Sequence, residues 1–199
     1  DAALAAARAL GYPVVLKIVS PDIAHKTEVG GVVVGLASDA QLAEAHDAML
    51  ARVAALAPQA RITGVLVAPM LQGGTELILG ARRDPVFGPV VMVGLGGIFA
   101  EVFHDVALQT APVSEAQALA MLRSLRSFPL LDGARGRPRA DVAGAKAVAA
   151  LSRFAVQHAD QVAEIDINPL VVLEAGRGAV ALDALLVPHQ PPYNPKAPS

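Results

Sequence analysis

Residues 162–173 read VAEIDINPLVVL, and after the short polar stretch Glu174-Ala175-Gly176-Arg177 an apolar pattern resumes as GAVALDALL over 178–186. Two aliphatic runs around a glycine-containing turn are the signature of an antiparallel hairpin. If the turn centres on Ala175 and Gly176, residues that face one another have numbers summing to 351, and Asn168 and Asp183 meet that condition. Directly opposed residues share a sheet face, with Cβ atoms about 5 Å apart. An amide oxygen beside one carboxylate is a hard-oxygen pair suited to Mg²⁺, which takes one or two protein ligands and leaves its other positions to water and phosphate. The same two residues also suit a plainer role, finishing strands in turns. Asp166, two residues before Asn168 and on its face, is a third ligand or an acceptor behind the pair.

Working outward, short strands are expected at 13–18, 31–36, 62–68, 76–81, 90–93, 162–167, 170–173 and 178–183. Helices are expected over 1–10, over 38–57 behind a Ser38/Gln41 capping box, over 114–125 behind Ser114/Gln117, and over 141–154. The apolar stripes of the two long helices are Leu42, Ala45, Met49, Val53 and Leu56, and Val142, Ala145, Val148 and Leu151. Closely spaced strand pairs mixed with helices predict an α+β fold with antiparallel sheets. The expected organisation is a lobe over 1–66, a second over 67–187, a hinge near Val67–Gly74 and a proline-rich tail over 188–199. The chain opens inside a helix, as a piece of a longer protein would.

The 199 residues carry 16 basic and 18 acidic side chains, which argues against a general nucleic-acid binder. The absence of cysteine excludes disulfides, thiolate metal sites and cysteine nucleophiles. With 40 alanines and seven aromatics the core must be aliphatic and its elements closely approached. No apolar run reaches the roughly 20 residues that cross a bilayer, and Asp1–Ala9 lacks the basic start of a signal peptide, so no membrane association and a cytoplasmic setting are expected.

Lys17 sits near the end of an apolar strand, as a snorkelling edge charge or as a point charge for a phosphate oxygen. The loop that follows, SPDIAHKTEVGG over 20–31, is polar and closes in paired glycines, whose amides can approach an anion. From the residues alone His25 is also readable as an exposed loop histidine. Gly94-Leu95-Gly96-Gly97 reads as a tight turn rather than a dinucleotide fingerprint, and GARGRPR over 133–139 as a small basic loop. Nothing matches a Walker A loop, G-x-S-x-G or H-E-x-x-H.

Taken together, GYPVVLKIVSPDIAHKTEVGGVVVGL (11–36), GARRDPVFGPVVMVGLGGIFAEVFHDVAL (80–108), EIDINPLVV (164–172) and VALDALL (180–186) closely resemble the ATP-grasp domain of ADP-forming acyl-CoA synthetases. These include acetyl-CoA synthetase β chains; the β chain of succinyl-CoA synthetase is more distantly similar. The resemblance covers about Ala3 to Leu186. It implies a two-lobed ATP-grasp fold around Mg-ATP or Mg-ADP, with the first lobe incomplete at its N-terminus. It further implies that Lys17 contacts the nucleotide phosphates, with Ala24 and Lys26 among the cofactor-binding positions. Ala68, Met70 and Leu71 would line the adenine-side hinge, Glu76 would lie near ribose and phosphates, and Asn168 and Asp183 would hold Mg²⁺. His25, in the His-Lys motif, would carry phosphate between the nucleotide and a distant acyl-CoA site. The implied partners are a CoA-binding domain, on a separate α chain or a fused half, and the acyl-CoA substrate; aliphatic surface left bare without those partner domains would favour association with a second copy of the chain. A reading of a different class is a regulatory ATP-grasp-like domain fused to a protein acetyltransferase, keeping the fold without the chemistry.

Overall fold

The computed structural model describes residues 1–96, 104–134 and 141–189. Gly97, most of the basic loop over 133–139 and the tail beyond His189 lie outside the described residues. The chain divides between Gln72 and Gly73 into two compact units.

In the first unit, α1 (Ala2–Leu10), β1 (Val14–Val19), β2 (Val32–Leu36), α2 (Asp39–Leu56) and β3 (Gly64–Pro69) follow in order. The strands form an antiparallel sheet in the order β2-β1-β3. β1 alternates strictly. Val14, Leu16 and Ile18 are fully buried, and pack with Leu42, Met49 and Val53 of α2 and Ala7 of α1, while Val15, Lys17 and Val19 face the other way. Each aliphatic side chain buried in this way contributes about 1.5–3 kcal/mol of transfer free energy. The α2 stripe stops at Val53; Leu56, expected on it, is 61% exposed. Ser38 Oγ accepts the Gln41 amide at 3.3 Å as the capping pattern requires. The Gln41 side chain, however, accepts from the Ala37 amide at 2.8 Å, so the reciprocal half of the box closes one residue early. β3 pairs with β1 along its whole length, which keeps residues 67–69 in the first unit instead of the second.

The second unit runs β4 (Thr75–Asp84), β5 (Gly88–Leu95), β6 (Val106–Thr110), α3 (Glu115–Ser124), a 3₁₀ turn (Phe128–Leu130), α4 (Asp141–Gln157), β7 (Val162–Val172), β8 (Ala179–Ala181) and β9 (Ala184–Pro188). Its sheet has the order β6-β5-β4-β7-β8, with β9 pairing further along β7, and every pairing is antiparallel. Leu77, Leu79, Val91, Val93, Leu170 and Val172 enclose a core with Leu122 of α3 and Val148 of α4. Ser114 and Gln117 form a complete capping box at the start of α3.

Several expectations change. The runs 162–167 and 170–173 are one strand, and β6 and β9 are additional. The 178–183 strand ends at Ala181, because Asp183 turns its carboxylate onto the Ala184 amide at 3.0 Å. Gly94 and Leu95 complete β5 rather than turning, and the Gly96 amide continues the ladder onto the Glu76 carbonyl at 2.7 Å. Pro188 is paired with Val162, so the tail begins later than expected. Val142 is 55% exposed and off the α4 stripe.

Candidate functional site

The site in the second unit is built by the last hairpin. Every β7–β8 pair, and the β7–β9 pairs from Glu164/Val187 to Ile167/Ala184, obey the register that sums to 351. Arg177 N–H donates to the Glu174 carbonyl at 2.9 Å and closes the turn at the expected place. Between the two ladders, Asn168 N–H donates to the Asp183 carbonyl at 3.1 Å and Leu182 N–H to the Pro169 carbonyl at 2.9 Å. Asn168 and Asp183 are therefore side by side, on one face. Asn168 is exposed and Asp183 half-buried.

Against β4 the register slips: Leu79 faces Ile167 and Leu77 faces Leu170, so three steps of β7 match two of β4. This bulge at Asn168–Pro169 changes the phase of the strand. Ile165 and Ile167 pack into the core before it, Leu170 and Val172 after it. Asp166 and Asn168 are left by alternation on the face away from α3 and α4. Asp166 lies there between Gly80 and Leu185. Glu76, exposed between the buried residues Thr75 and Leu77, stands on the same face opposite Val171.

Among the described residues no three His, Cys, Asp or Glu side chains are grouped so as to hold a metal ion. A cation here would rest on the Asn168 amide oxygen and an Asp183 carboxylate oxygen, with its remaining positions open to water and phosphate. That donor set fits the hard, sparsely protein-ligated habit of Mg²⁺.

In the first unit, Lys17 is half-buried between Val32 and Leu66 on the face opposite the core, and its strand continues to Val19. Ala68, opposite Val15, shares that face two residues along. Met70 continues beside β1 through its amide on the Pro13 carbonyl at 3.1 Å, and Leu71 is half-buried. Ala24 and His25 are exposed, and Lys26 is half-buried. The loop that carries them is tied down at both ends. Ile23 is 8% exposed within the first unit's core, and Val29 packs against that core. Asp22 Oδ2 accepts the Arg61 amide at 2.8 Å. Gly31 N–H donates to the Lys26 carbonyl at 2.7 Å, and Arg52 Nη1 reaches the Gly30 carbonyl at 3.3 Å. Gly30 has φ +64°, and a Cβ at Gly31 would lie 2.6 Å from Ile18 Cγ2. The paired glycines thus serve close packing as well as backbone freedom. Ile23 and Arg52 escaped the sequence reading, since one apolar residue in a polar loop and one arginine on a helix carry no pattern.

A family model described as an ATP-grasp domain matches residues 1–187. The ADP-forming acetate–CoA ligase I of Archaeoglobus fulgidus is 42% identical over 181 residues, which are 90% of this chain and 26% of that protein. The chain thus spans about a quarter of that relative's length, and likewise 26% of the ADP-forming 4-hydroxybutyrate–CoA ligase of Nitrosopumilus maritimus. The β subunit of ADP-forming acetate–CoA ligase I from Pyrococcus furiosus is 40% identical, over 89% of this chain and 76% of the subunit. Among solved structures, the Ca. Korarchaeum cryptofilum dinucleotide-forming acetyl-coenzyme A synthetase 1 in complex with coenzyme A, Ca-AMPCP and HgCl⁺ superposes with a TM-score of 0.88 at 40% identity, covering 94% of this chain and 81% of that one. Two further structures of that synthetase hold its phosphohistidine segment pointing towards the nucleotide binding site, with Mg-AMPPCP, and phosphorylated in a site I orientation.

Proposed function

The chain belongs to the ATP-grasp domain family, and from that premise we propose that it is the nucleotide-binding part of an ADP-forming acyl-CoA synthetase, its two units being the two lobes of the fold. The observation that carries this reading is the register of the last hairpin, which sets Asn168 beside Asp183. The overall reaction is acyl-CoA + ADP + phosphate ⇌ acid + ATP + CoA. The residues of this chain divide the phosphoryl transfer into two short steps. At the acyl-CoA site phosphate displaces CoA to give an acyl phosphate; a ring nitrogen of the exposed His25 takes its phosphoryl group as the P–O bond to the acyl oxygen breaks and the acid leaves. A β-phosphate oxygen of ADP then attacks the same phosphorus, giving ATP and returning the ring nitrogen. Lys17 offsets phosphate charge, and Ala68, Met70 and Leu71 offer backbone groups to the base. Asn168 and Asp183 hold Mg²⁺, which neutralises phosphate oxygens when bound.

The remaining components, a CoA-binding part and the acyl-CoA, lie with the rest of the enzyme, and the setting is cytoplasmic, where these reactants meet. Self-association through aliphatic surface belongs to the same reading. The regulatory alternative draws no support from the relatives described above, each of which is a CoA ligase or synthetase.

The test supplies this chain with a CoA-binding partner, acyl-CoA and labelled phosphate. Phosphate is expected on His25, and none in His25→Ala. Asp183→Asn is expected to weaken Mg-AMPPCP binding by about tenfold, the factor that 1.4 kcal/mol produces, in calorimetry. Undiminished labelling in His25→Ala would remove the carrier role.

A further inference from the structure

The hairpin between β4 and β5 ends in an apolar knob. Asp84 pairs with Gly88, leaving Pro85-Val86-Phe87 as a three-residue loop. Such loops are usually polar, because their side chains project into water. Here Val86 is 80% exposed and Phe87 71%, more than any other large apolar side chain among the described residues. The knob is held firmly. The Asp84 carboxylate accepts the Val86 amide at 2.8 Å and the Phe87 amide at 2.9 Å, and Gly88 closes the loop at φ +74°. Two apolar side chains fixed in water lose little freedom when something covers them, the preorganised condition that favours binding.

Beside the knob, the same end of the second unit has a shallow recess. Its floor is made of small side chains: Ala81 of β4, Ala155 and Ala159 around the end of α4, and Ala163 of β7. Arg83 and Pro89, paired with one another one step below the loop, also line it. Even counted to its open mouth it measures about 240 Å³. That is below the roughly 300–1,000 Å³ of a small-molecule site, and suits a side chain from outside. Knob and recess therefore belong to one patch. The chain cannot seat this knob in its own recess, because the short, carboxylate-bound loop leaves from the strands that line it. A second copy can, since a closed two-fold dimer sets each patch against its own counterpart and satisfies both features twice. The charges agree with this. Arg82 faces Glu164 across the sheet and Arg83 pairs with Asp160 at 3.4 Å, so the patch carries both signs and two copies meet without net repulsion.

We propose that this end of the second unit is a self-association surface, on which Val86 and Phe87 of one copy seat in the alanine-floored recess of a second copy, and the reverse. This assigns a place to the self-association named above and rests on none of the nucleotide chemistry. Glu76 and the knob stand at opposite ends of β4, eight residues and about 26 Å of strand apart. Two knobs and two recesses make a small interface, so the dimer is of the weak, concentration-dependent class, with Phe87 as its anchor.

Analytical ultracentrifugation of the full chain without nucleotide, from micromolar to near-millimolar concentration, reads the association directly, and the outcome of the His25 labelling does not enter it. A monomer–dimer equilibrium is expected. Phe87→Ser, at an exposed tip where no packing is lost, is expected to weaken the dimer about tenfold or more, and Val86→Ser by a smaller factor. Ala159→Arg, which fills the recess and leaves the knob intact, is expected to weaken it as Phe87→Ser does. Leu56→Ser removes an equally exposed aliphatic side chain from the first unit and is expected to change nothing. Mixing Phe87→Ser with Ala159→Arg restores one of the two seatings, so the mixture is expected to associate more tightly than either variant alone. A chain that stays monomeric throughout, with Phe87 covered only when a CoA-binding partner is added, would overturn the proposal. Equal weakening by Leu56→Ser would overturn it as well, since the association would then be unspecific. A mixture no tighter than its components would overturn the reciprocal seating.

Discussion

Asp39 ties three parts of the first unit together. Its carboxylate accepts from the Arg8 guanidinium, with Nε at 2.7 Å, and from the Tyr12 hydroxyl at 2.6 Å, joining the end of α1 and the approach to β1 to the first turn of α2. The hydrogen bond from Arg8, and then that from Tyr12, holds the carboxyl below its ordinary range. A group whose folded pKa lies below its unfolded value adds stability that is present at neutral pH. That stability is lost as the pH falls through the ordinary carboxylate range to the lowered value. Asp39→Asn is therefore expected to lower the urea midpoint at pH 7, by an amount that shrinks as the pH falls through and below the ordinary carboxylate range; a constant gap between the two curves would show that the charge is not the cause. The tie is solvent-exposed, so the effect is small and shrinks with salt. None of this triad was legible in the sequence, because Arg8, Tyr12 and Asp39 meet only after the sheet has folded. Asn168 and Asp183 were legible, since a tight turn fixes register by counting alone.

At the scale of elements, the β4–β5 hairpin and the edge strand β6 show how close approach is written in glycine. A Cβ at Gly94 would lie 2.8 Å from Val106 Cγ1 and 2.9 Å from the Asp105 carbonyl, whereas one at Gly80 meets nothing nearer than the Met92 methyl at 3.4 Å. Gly94→Ala is expected to cost about 1–3 kcal/mol in chemical denaturation, as overpacking does. Gly80→Ala, gaining rigidity without a clash, is expected within about 0.5 kcal/mol of the parent. Similar losses in the two would mean that strand propensity, not space, decides. β6 itself was missed because VALQT is a mostly exposed edge with too little apolar alternation to read. It is anchored from outside its own sequence. Burial works against the Asp105 carboxyl, yet the Ser127 hydroxyl and the amides of Arg126 and Ser127, at 2.9 and 2.8 Å, hold it below its ordinary range. At the far end of the same hairpin, the Asp84 carboxylate accepts the Phe87 and Val86 amides at 2.9 and 2.8 Å and sets the turn rigidly.

For the whole molecule, the two units carry separate cores, one around Leu16, Met49 and Val53, the other around Leu77, Leu79 and Leu122. A cavity should weaken the unit that contains it. Leu79→Ala is expected to cost about 2–5 kcal/mol and to lower hydrogen-exchange protection in β4 and β5 while β1 amides keep theirs; equal loss in both would mean that the chain unfolds as one. The antiparallel α+β character followed from strand spacing, and the break between Gln72 and Gly73 falls within the hinge expected near Val67–Gly74, but the assignment of 67–72 to the first unit did not follow. It depends on β3 pairing back to β1, a long-range choice that local pattern cannot encode. The extra residue of β7 at Asn168–Pro169 has a further implication for what variation this protein tolerates. It works like a gear change, handing odd-numbered positions to the interior upstream and even-numbered ones downstream. Swapping one aliphatic for another at 170 or 172 leaves that arrangement intact. Deleting a single residue there would abolish the change, since plain alternation would then carry 165, 167, 170 and 172 to the interior by itself. What the extra residue supplies is therefore not burial but the backbone irregularity beside the oxygen-bearing pair.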